Sequence, residues 1–467
     1  MSVMLQSIQI RSPIDGKVYA QRPVATDTAI EASLARASAS QTAWRHTPLA
    51  ERIGILAAAV GHLNAAKVAI GEELAWQMGR PVRYGPNEIT RGFTERAEYM
   101  AQIAPEVLAD TDAGAKDDFK RFIRRDPAGT VLAIAPWNYP YLTAVNSIWP
   151  ALLAGNAVIL KHSSKTLLVG ERFQQALDKA GLPSGVFQNL VLTHEQTDRI
   201  ILSGKVHQVA FTGSVIGGRA IARVAAGTFI GFGLELGGKD PAYVRADADF
   251  DHAVENLVDG AFFNSGQSCC GVERIYVNQS LYPRFLDAFS ALTAQYVLDN
   301  PLEPDTTLGP MVSGKAADFV RNQIDAAVRS GARTHIDTAK FRREARGSAY
   351  MAPQVLSNVN HQMSVMRDES FGPVIGIMPV GGDEEAIQLM NDSPFGLTAS
   401  IWTSDLPAAE RLGDGIATGT VYMNRCDYLD PALAWTGVKE TGHGVSLSRF
   451  GFDAVTRTKS FHLRHKL

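Results

Sequence analysis

Thr130–Asn138 reads T-V-L-A-I-A-P-W-N, a six-residue apolar run that a proline breaks and polar and aromatic residues follow at once. A run this short, bounded this sharply, predicts a strand buried on both faces. Ala157–Lys161 (A-V-I-L-K), Val186–Leu190 and His207–Phe211 repeat the pattern downstream, with helical stretches such as Leu167–Ala180 between them. Strand–helix alternation predicts a parallel sheet covered on both faces, with ligands bound beyond the carboxyl ends of its strands. The chemically interesting residues sit there: Pro136-Trp137-Asn138 follows the first strand, Lys161 ends the second, and Thr212-Gly213-Ser214 follows the fourth. A second α/β series starts at Pro241 and continues through Arg274–Val277 and Val374–Met378. The amino-terminal third reads as mostly helical, Ala50–Leu63 for example. Phe119–Arg125 and Lys459–Arg464 alternate apolar and basic residues, and are expected to pair with each other and with a neighbouring subunit.

Two segments carry the reactive groups. Phe262–Cys269 reads F-F-N-S-G-Q-S-C, and Glu235 stands thirty-four residues earlier inside L-E-L-G-G-K. A thiolate can attack a carbonyl and hold its carbon covalently, and a carboxylate can activate the water that releases it. A lone cysteine is more often an apolar filler, but the small, flexible S-G-Q-S lead-in suits close approach better than packing. Cys270, beside it, reads as structural. Glu235 lies between two leucines, where burial raises a carboxyl pKa; the bland alternative is a salt bridge to Lys239. Asn138 is a turn residue or an oxyanion donor. Phe211–Ser214, ahead of a helical run over Gly217–Ala225, is a candidate phosphate seat, although the chain has no G-x-G-x-x-G fingerprint. Lys161 reads as a ribose or phosphate ligand, or as a solvated lysine.

The composition excludes several classes. At 467 residues two or three domains are expected, and 45% hydrophobic with 20% charged residues describes a soluble globular chain. A net charge of −3 makes no case for nucleic acid or an anionic membrane surface. No apolar run reaches membrane-spanning length, since Tyr141–Ala154 is interrupted by Asn146, Ser147 and Pro150. The amino terminus lacks a secretory signal pattern. Cys269, Cys270 and Cys426 make neither a disulfide framework nor a C-x-x-C pair, so a cytoplasmic protein with reduced thiols is expected.

In this order the segments resemble the aldehyde dehydrogenase superfamily, over nearly the whole chain. The resemblance rests on L-E-L-G-G-K-D around Glu235, F-F-N-S-G-Q-S-C, P-W-N-Y-P, F-T-G-S, E-S-F-G-P-V from Glu369, and A-W-T-G-V-K-E-T-G-H-G over Ala434–Gly444. It implies an α/β fold with a Rossmann-like cofactor domain (1–106 and 128–236), an α/β catalytic domain (237–445) and a small β oligomerisation arm (107–127 and 446–467). It makes Cys269 the nucleophile, Glu235 the base for the deacylating water, and Asn138 with the Cys269 amide the oxyanion hole. Trp137, Lys161, Ser164, Gly213, Ser214, Gly218, Leu236, Glu369 and Phe371 would bind NADP or NAD, and Tyr139, Phe263 and Trp435 would face the substrate. The implied reaction oxidises an aldehyde to a carboxylic acid through a hemithioacetal and a thioester, with hydride passing to the nicotinamide and no metal required. A homodimer or homotetramer is implied.

Two departures bear on specificity. Many NAD-preferring relatives carry an acidic residue three positions after the ribose-binding lysine; Ser164 stands there, so NADP is expected to be tolerated or preferred. Succinic semialdehyde dehydrogenases typically place arginines where this chain has Asn146 and Phe263. That favours an uncharged aliphatic or aromatic aldehyde, with Tyr141 and Tyr428 also near the entrance. A semialdehyde held by an arginine from elsewhere, such as Arg425, is the alternative. Glu235 argues against a coenzyme A-acylating enzyme, and the full set of cysteine, glutamate and asparagine argues against an inactive nucleotide-binding protein. No histidine near Cys269 supports a cysteine hydrolase.

Overall fold

The computed structural model describes residues 6–466. The expected ranges include residues 1–5 and 467, which lie outside the described residues. Thr130–Ala135 is a fully buried strand at the middle of a six-stranded sheet. The order runs Gly442–His443, Gly231–Glu235, Gln208–Thr212, Thr130–Ala135, Ala157–His162, Phe187–Asn189. The last five are mutually parallel, while Gly442–His443 pairs antiparallel with Gly231–Glu235. Helices cover both faces, so nothing polar is needed along these strands and continuous apolar runs result. One face carries the buried helix Pro140–Ala154, whose Trp149 packs against Phe93 and Phe173.

A seven-stranded sheet follows, ordered Arg333–Thr334, Gln354–Ser357, Val374–Val380, Val272–Asn278, Asp240–Val244, Thr398–Trp402, Thr420–Met423. It is parallel except at Arg333–Thr334. Phe119–Pro127 and Thr456–Arg464 pair antiparallel along their whole length, with Phe119 stacked on His462 and Phe122 on Phe461. The amino-terminal third is helical as read, but opens on a hairpin, Ser7–Arg11 with Val18–Pro23. Among the described residues no single helix is long and apolar enough to cross a membrane. Tyr141 is a correction: its ring packs in the core beside Phe173 rather than at an entrance.

Candidate active site

The carboxyl ends of the first sheet deliver Asn138, Lys161, Thr212 and Glu235 to one rim, as parallel strand order requires. Over that rim opens a cleft of about 1020 Å³ that includes Trp137, Lys161, Ser164, Gly213, Leu236 and Glu369 in its walls. Asn138, Ser214 and Phe371 line it too. On the other side of Cys269 lies a cavity of about 370 Å³, walled by Tyr84, Tyr139, Phe263, Tyr428, Trp435 and others. Cys269, Glu235 and Thr212 face both spaces. The thiol is partly accessible and is reached from either direction. Gly218 is a second correction. It does not line the cleft but packs under Leu236, whose methyl a Cβ there would meet at 2.5 Å.

The loop leading to Cys269 is built against its own strain. Asn264, Ser265 and Gly266 follow one another with φ of 54°, 57° and 68°, a left-handed run that side chains disfavour. Three contacts hold it. The Asn264 amide donates to the carbonyls of Asn138 and Gln267, both at 3.2 Å, and the Ser265 hydroxyl donates to Gly309 O at 2.8 Å. At 266 only glycine serves, since a Cβ would lie 2.4 Å from Gly372 O. At 238 the constraint is the cysteine itself: a Cβ there would lie 2.2 Å from the carbonyl oxygen of Cys269. Gly238 therefore lets its backbone run against the Cys269 carbonyl, while Gly237 leaves room for the Glu369 carboxylate.

Asn138 is pinned as firmly. Its side-chain nitrogen donates to Gln267 O at 3.2 Å, leaving its second amide hydrogen for another acceptor. Its carbonyl accepts from Arg80, which forms a fully buried ion pair with Glu88. Glu88, from a π-turn over Glu88–Phe93, accepts the backbone N–H groups of Tyr141 and Leu142 at 3.0 and 3.1 Å. It thus caps the helix that follows Asn138, where no local side chain does. Sequence reasoning missed Arg80 and Glu88, because neither sits in a recognisable motif.

Glu235 is half-buried, and loss of solvent pushes its carboxyl above the ordinary range despite hydrogen bonds that oppose the shift. The Ser446 hydroxyl donates to Oε1 and the Thr212 hydroxyl to Oε2, the latter at 3.3 Å. The bland salt bridge does not form, because Lys239 pairs with Glu273 at 2.5 Å. Cys270 is buried, and its thiol and the Ser268 hydroxyl each donate to Asp427 at 3.0 Å. Burial pushes Asp427 up to about 6.

A dinucleotide fits the cleft by the chemistry of its donors. Lys161 is 9% exposed and makes no ion pair among the described residues, and desolvation lowers its pKa. Glu369 accepts the Gly238 N–H at 3.1 Å, and burial followed by repulsion from Glu273 pushes it up to about 8. A neutral carboxyl and a lone ammonium in one cleft suit hydroxyl-rich ribose. Ser214 caps the helix Val215–Ala225, whose free N–H groups suit a phosphate. Trp137 and Phe371 meet edge to face at 5.6 Å and form an apolar corner in the cleft wall.

The chain belongs to the aldehyde dehydrogenase family, whose pattern residues 2–461 match, and it is an oxidoreductase acting on aldehydes. It is 32% identical over 455 residues to a succinate-semialdehyde dehydrogenase [NADP(+)] of Mycobacterium avium (strain 104), covering 96% of this chain and 95% of that one. Among solved structures it is similar to the succinic semialdehyde dehydrogenase of Streptococcus pyogenes in complex with NADP+. There the TM-score is 0.93 at 28% identity, covering 98% of this chain and 100% of that one. It is equally similar in fold to an indole-3-acetaldehyde dehydrogenase complexed with NAD+, with TM-score 0.93 and 29% identity, covering 98% of this chain and 93% of that one.

Proposed function

We propose that this enzyme oxidises an uncharged aliphatic or aromatic aldehyde to the carboxylic acid, using NADP or NAD, with Cys269, Asn138 and Glu235 as its catalytic residues. The observation that carries this reading is that Cys269 and Glu235 both border the cleft and the cavity. The thiolate of Cys269 adds to the aldehyde carbon, and the Asn138 amide with the Cys269 N–H stabilises the resulting oxyanion. A nicotinamide held by the cleft residues would supply the acceptor for the hydride that the hemithioacetal loses on becoming the thioester. Glu235 then removes a proton from water as the new C–O bond forms, and the C–S bond breaks with return of the thiolate. Ser164, in the cleft wall where many NAD-preferring relatives carry an acidic residue, supports use of NADP.

Aromatic walls and uncharged Asn146 and Phe263 support the uncharged substrate, and Asp427 would repel a carboxylate. A second reading, a succinic-semialdehyde-type substrate, is favoured by Arg91 and Arg425, which are exposed at the same cavity. We further propose the division into cofactor, catalytic and arm segments at the boundaries given above, a homodimer or homotetramer, and a cytoplasmic location. The open edge of Thr456–Arg464 supports strand addition by a partner, and three free cysteines support a reducing compartment. The test is aldehyde-dependent cofactor reduction. Cys269→Ala should abolish it, and Glu235→Gln should give one burst of reduced cofactor and then stall. Equal steady-state rates for Glu235→Gln and the parent would remove Glu235 from the reaction. Activity on succinic semialdehyde far above that on benzaldehyde and hexanal would select the second reading.

A further inference from the structure

The cavity beside Cys269 holds two polar atoms with nothing to bond. The Tyr139 hydroxyl is buried and has no hydrogen-bond partner among the described residues. Asp427 accepts from Ser268 and Cys270 through Oδ1 alone, and its Oδ2 takes no hydrogen bond among the described residues. Both residues line that cavity, and both are held in place from behind. The Arg80 guanidinium lies 4.6 Å from the centre of the Tyr139 ring, and the same arginine is fixed by Glu88 and by the Asn138 carbonyl. Asp427 is fixed by the two residues that flank the nucleophile. Tyr428, another tyrosine of the wall, differs, because its hydroxyl already donates to Glu95 at 2.6 Å. Burial, then the charge of Asp427, pushes the Tyr139 phenol well above its ordinary pKa, so it remains a donor.

The two free atoms are opposite in kind. One donates and the other accepts, and they are near enough for the carboxylate to act on the phenol without bonding to it. Solvent can serve both while the cavity is open, but an acyl group that fills the cavity displaces that solvent. A purely hydrocarbon substrate would then leave a buried donor and a buried acceptor unpaired, which is costly. A hydroxyl accepts through a lone pair and donates its hydrogen, so it satisfies both at once. We propose that Tyr139 and Asp427 form a hydroxyl-recognition subsite, and that the preferred substrates are uncharged aldehydes carrying a hydroxyl a few bonds from the carbonyl. Tyr139 donates to the substrate oxygen, and Asp427 Oδ2 accepts its hydrogen. The closeness to the carbonyl follows from the neighbours of the pair. Tyr139 directly follows Asn138, and Ser268 and Cys270, which hold Asp427, stand on either side of Cys269. A substrate carboxylate could accept from Tyr139 but has no hydrogen for Asp427. The proposal rests on the oxidation of an uncharged aldehyde at Cys269.

The test compares kcat/KM, followed by cofactor reduction, within pairs of aldehydes that differ by one hydroxyl. The pairs are 2-hydroxypropanal with propanal, 3-hydroxybutanal with butanal, and 3-hydroxybenzaldehyde with benzaldehyde. The hydroxylated member should be favoured by about fivefold or more in at least one pair. Tyr139→Phe keeps the ring and removes the donor, and Asp427→Asn keeps the shape and removes the charge. Each should lower the ratio for that pair by about threefold or more, since the hydroxylated substrate loses a partner and the other no longer strands one. The ratio is read within each variant, so a general loss of rate cancels, and Tyr139→Phe alone decides should Asp427→Asn fail to fold. A parent ratio below about fivefold in every pair, with the plain aldehydes turned over, overturns the subsite alone, as does a ratio that survives Tyr139→Phe. Turnover of none of these aldehydes, or of succinic semialdehyde far above all of them, overturns the underlying reading and the subsite together.

Discussion

Gly238→Ala tests whether the backbone after Glu235 sets the position of the nucleophile. The added methyl would stand 2.2 Å from the Cys269 carbonyl oxygen and 2.9 Å from Asp240 Oδ1. A carbon–oxygen contact relaxes only near 3.3 Å, so one of the two segments must retreat by about 1 Å. The Gly238 side resists, because its N–H donates to Glu369 and the next residue, Lys239, is locked to Glu273 and Ser370. The Cys269 loop therefore moves, and it already carries three left-handed residues in a row. A displacement of about 1 Å at a reacting atom costs about a hundredfold in rate, and overpacking costs about 1–3 kcal/mol of stability. The expected result is kcat for aldehyde oxidation down by about two orders of magnitude, a folded protein with a lowered Tm, and cofactor affinity within threefold by fluorescence titration, a margin of about 0.6 kcal/mol. Thiol alkylation by iodoacetamide, measured alongside, should change rate because the sulfur has shifted. A kcat within about threefold of the parent, with the variant fully folded, would refute the claim that this glycine positions Cys269.

Asn138→Ala should lower kcat by about 10²–10³ with little change in cofactor binding, since it removes an oxyanion donor; a loss below about fivefold would dismiss that role. Ser164→Glu should shift the NADP to NAD ratio of kcat/KM by about tenfold or more towards NAD, through repulsion of a 2′-phosphate. An unchanged ratio places that phosphate elsewhere. Deacylation should depend on pH through Glu235. Burial raises its carboxyl, the base works only when ionised, and so the rate falls as pH drops through a value above 4.5. A midpoint at or below 4.5, read from steady-state ester hydrolysis, contradicts the desolvated setting described here.

Strands and their order of chemistry were legible because a doubly covered parallel sheet writes itself as short apolar runs, and its ligand residues fall just past each run. Lys161 and Thr212 are found that way without any structure. The glycines around Glu235 and Cys269 were legible as flexibility, but not as the specific approach of one segment to the other's carbonyl, which depends on where two distant loops cross. Tyr141 misled because it sits two residues from Tyr139 in a segment that becomes helical at Pro140, and that short step turns its ring from the cavity into the core. Arg80 and Glu88 gave no signal: an arginine before a proline and a glutamate in a mixed stretch read as surface, and only folding joins them under Asn138. Ser446 is the sharpest case. Its neighbourhood, V-S-L-S, has no catalytic pattern, and it reaches Glu235 across 211 positions of chain only because Gly442–His443 pairs back onto Gly231–Glu235. A two-residue antiparallel bridge carries no periodicity to read, so the contact that sets the base's environment belongs to tertiary structure alone.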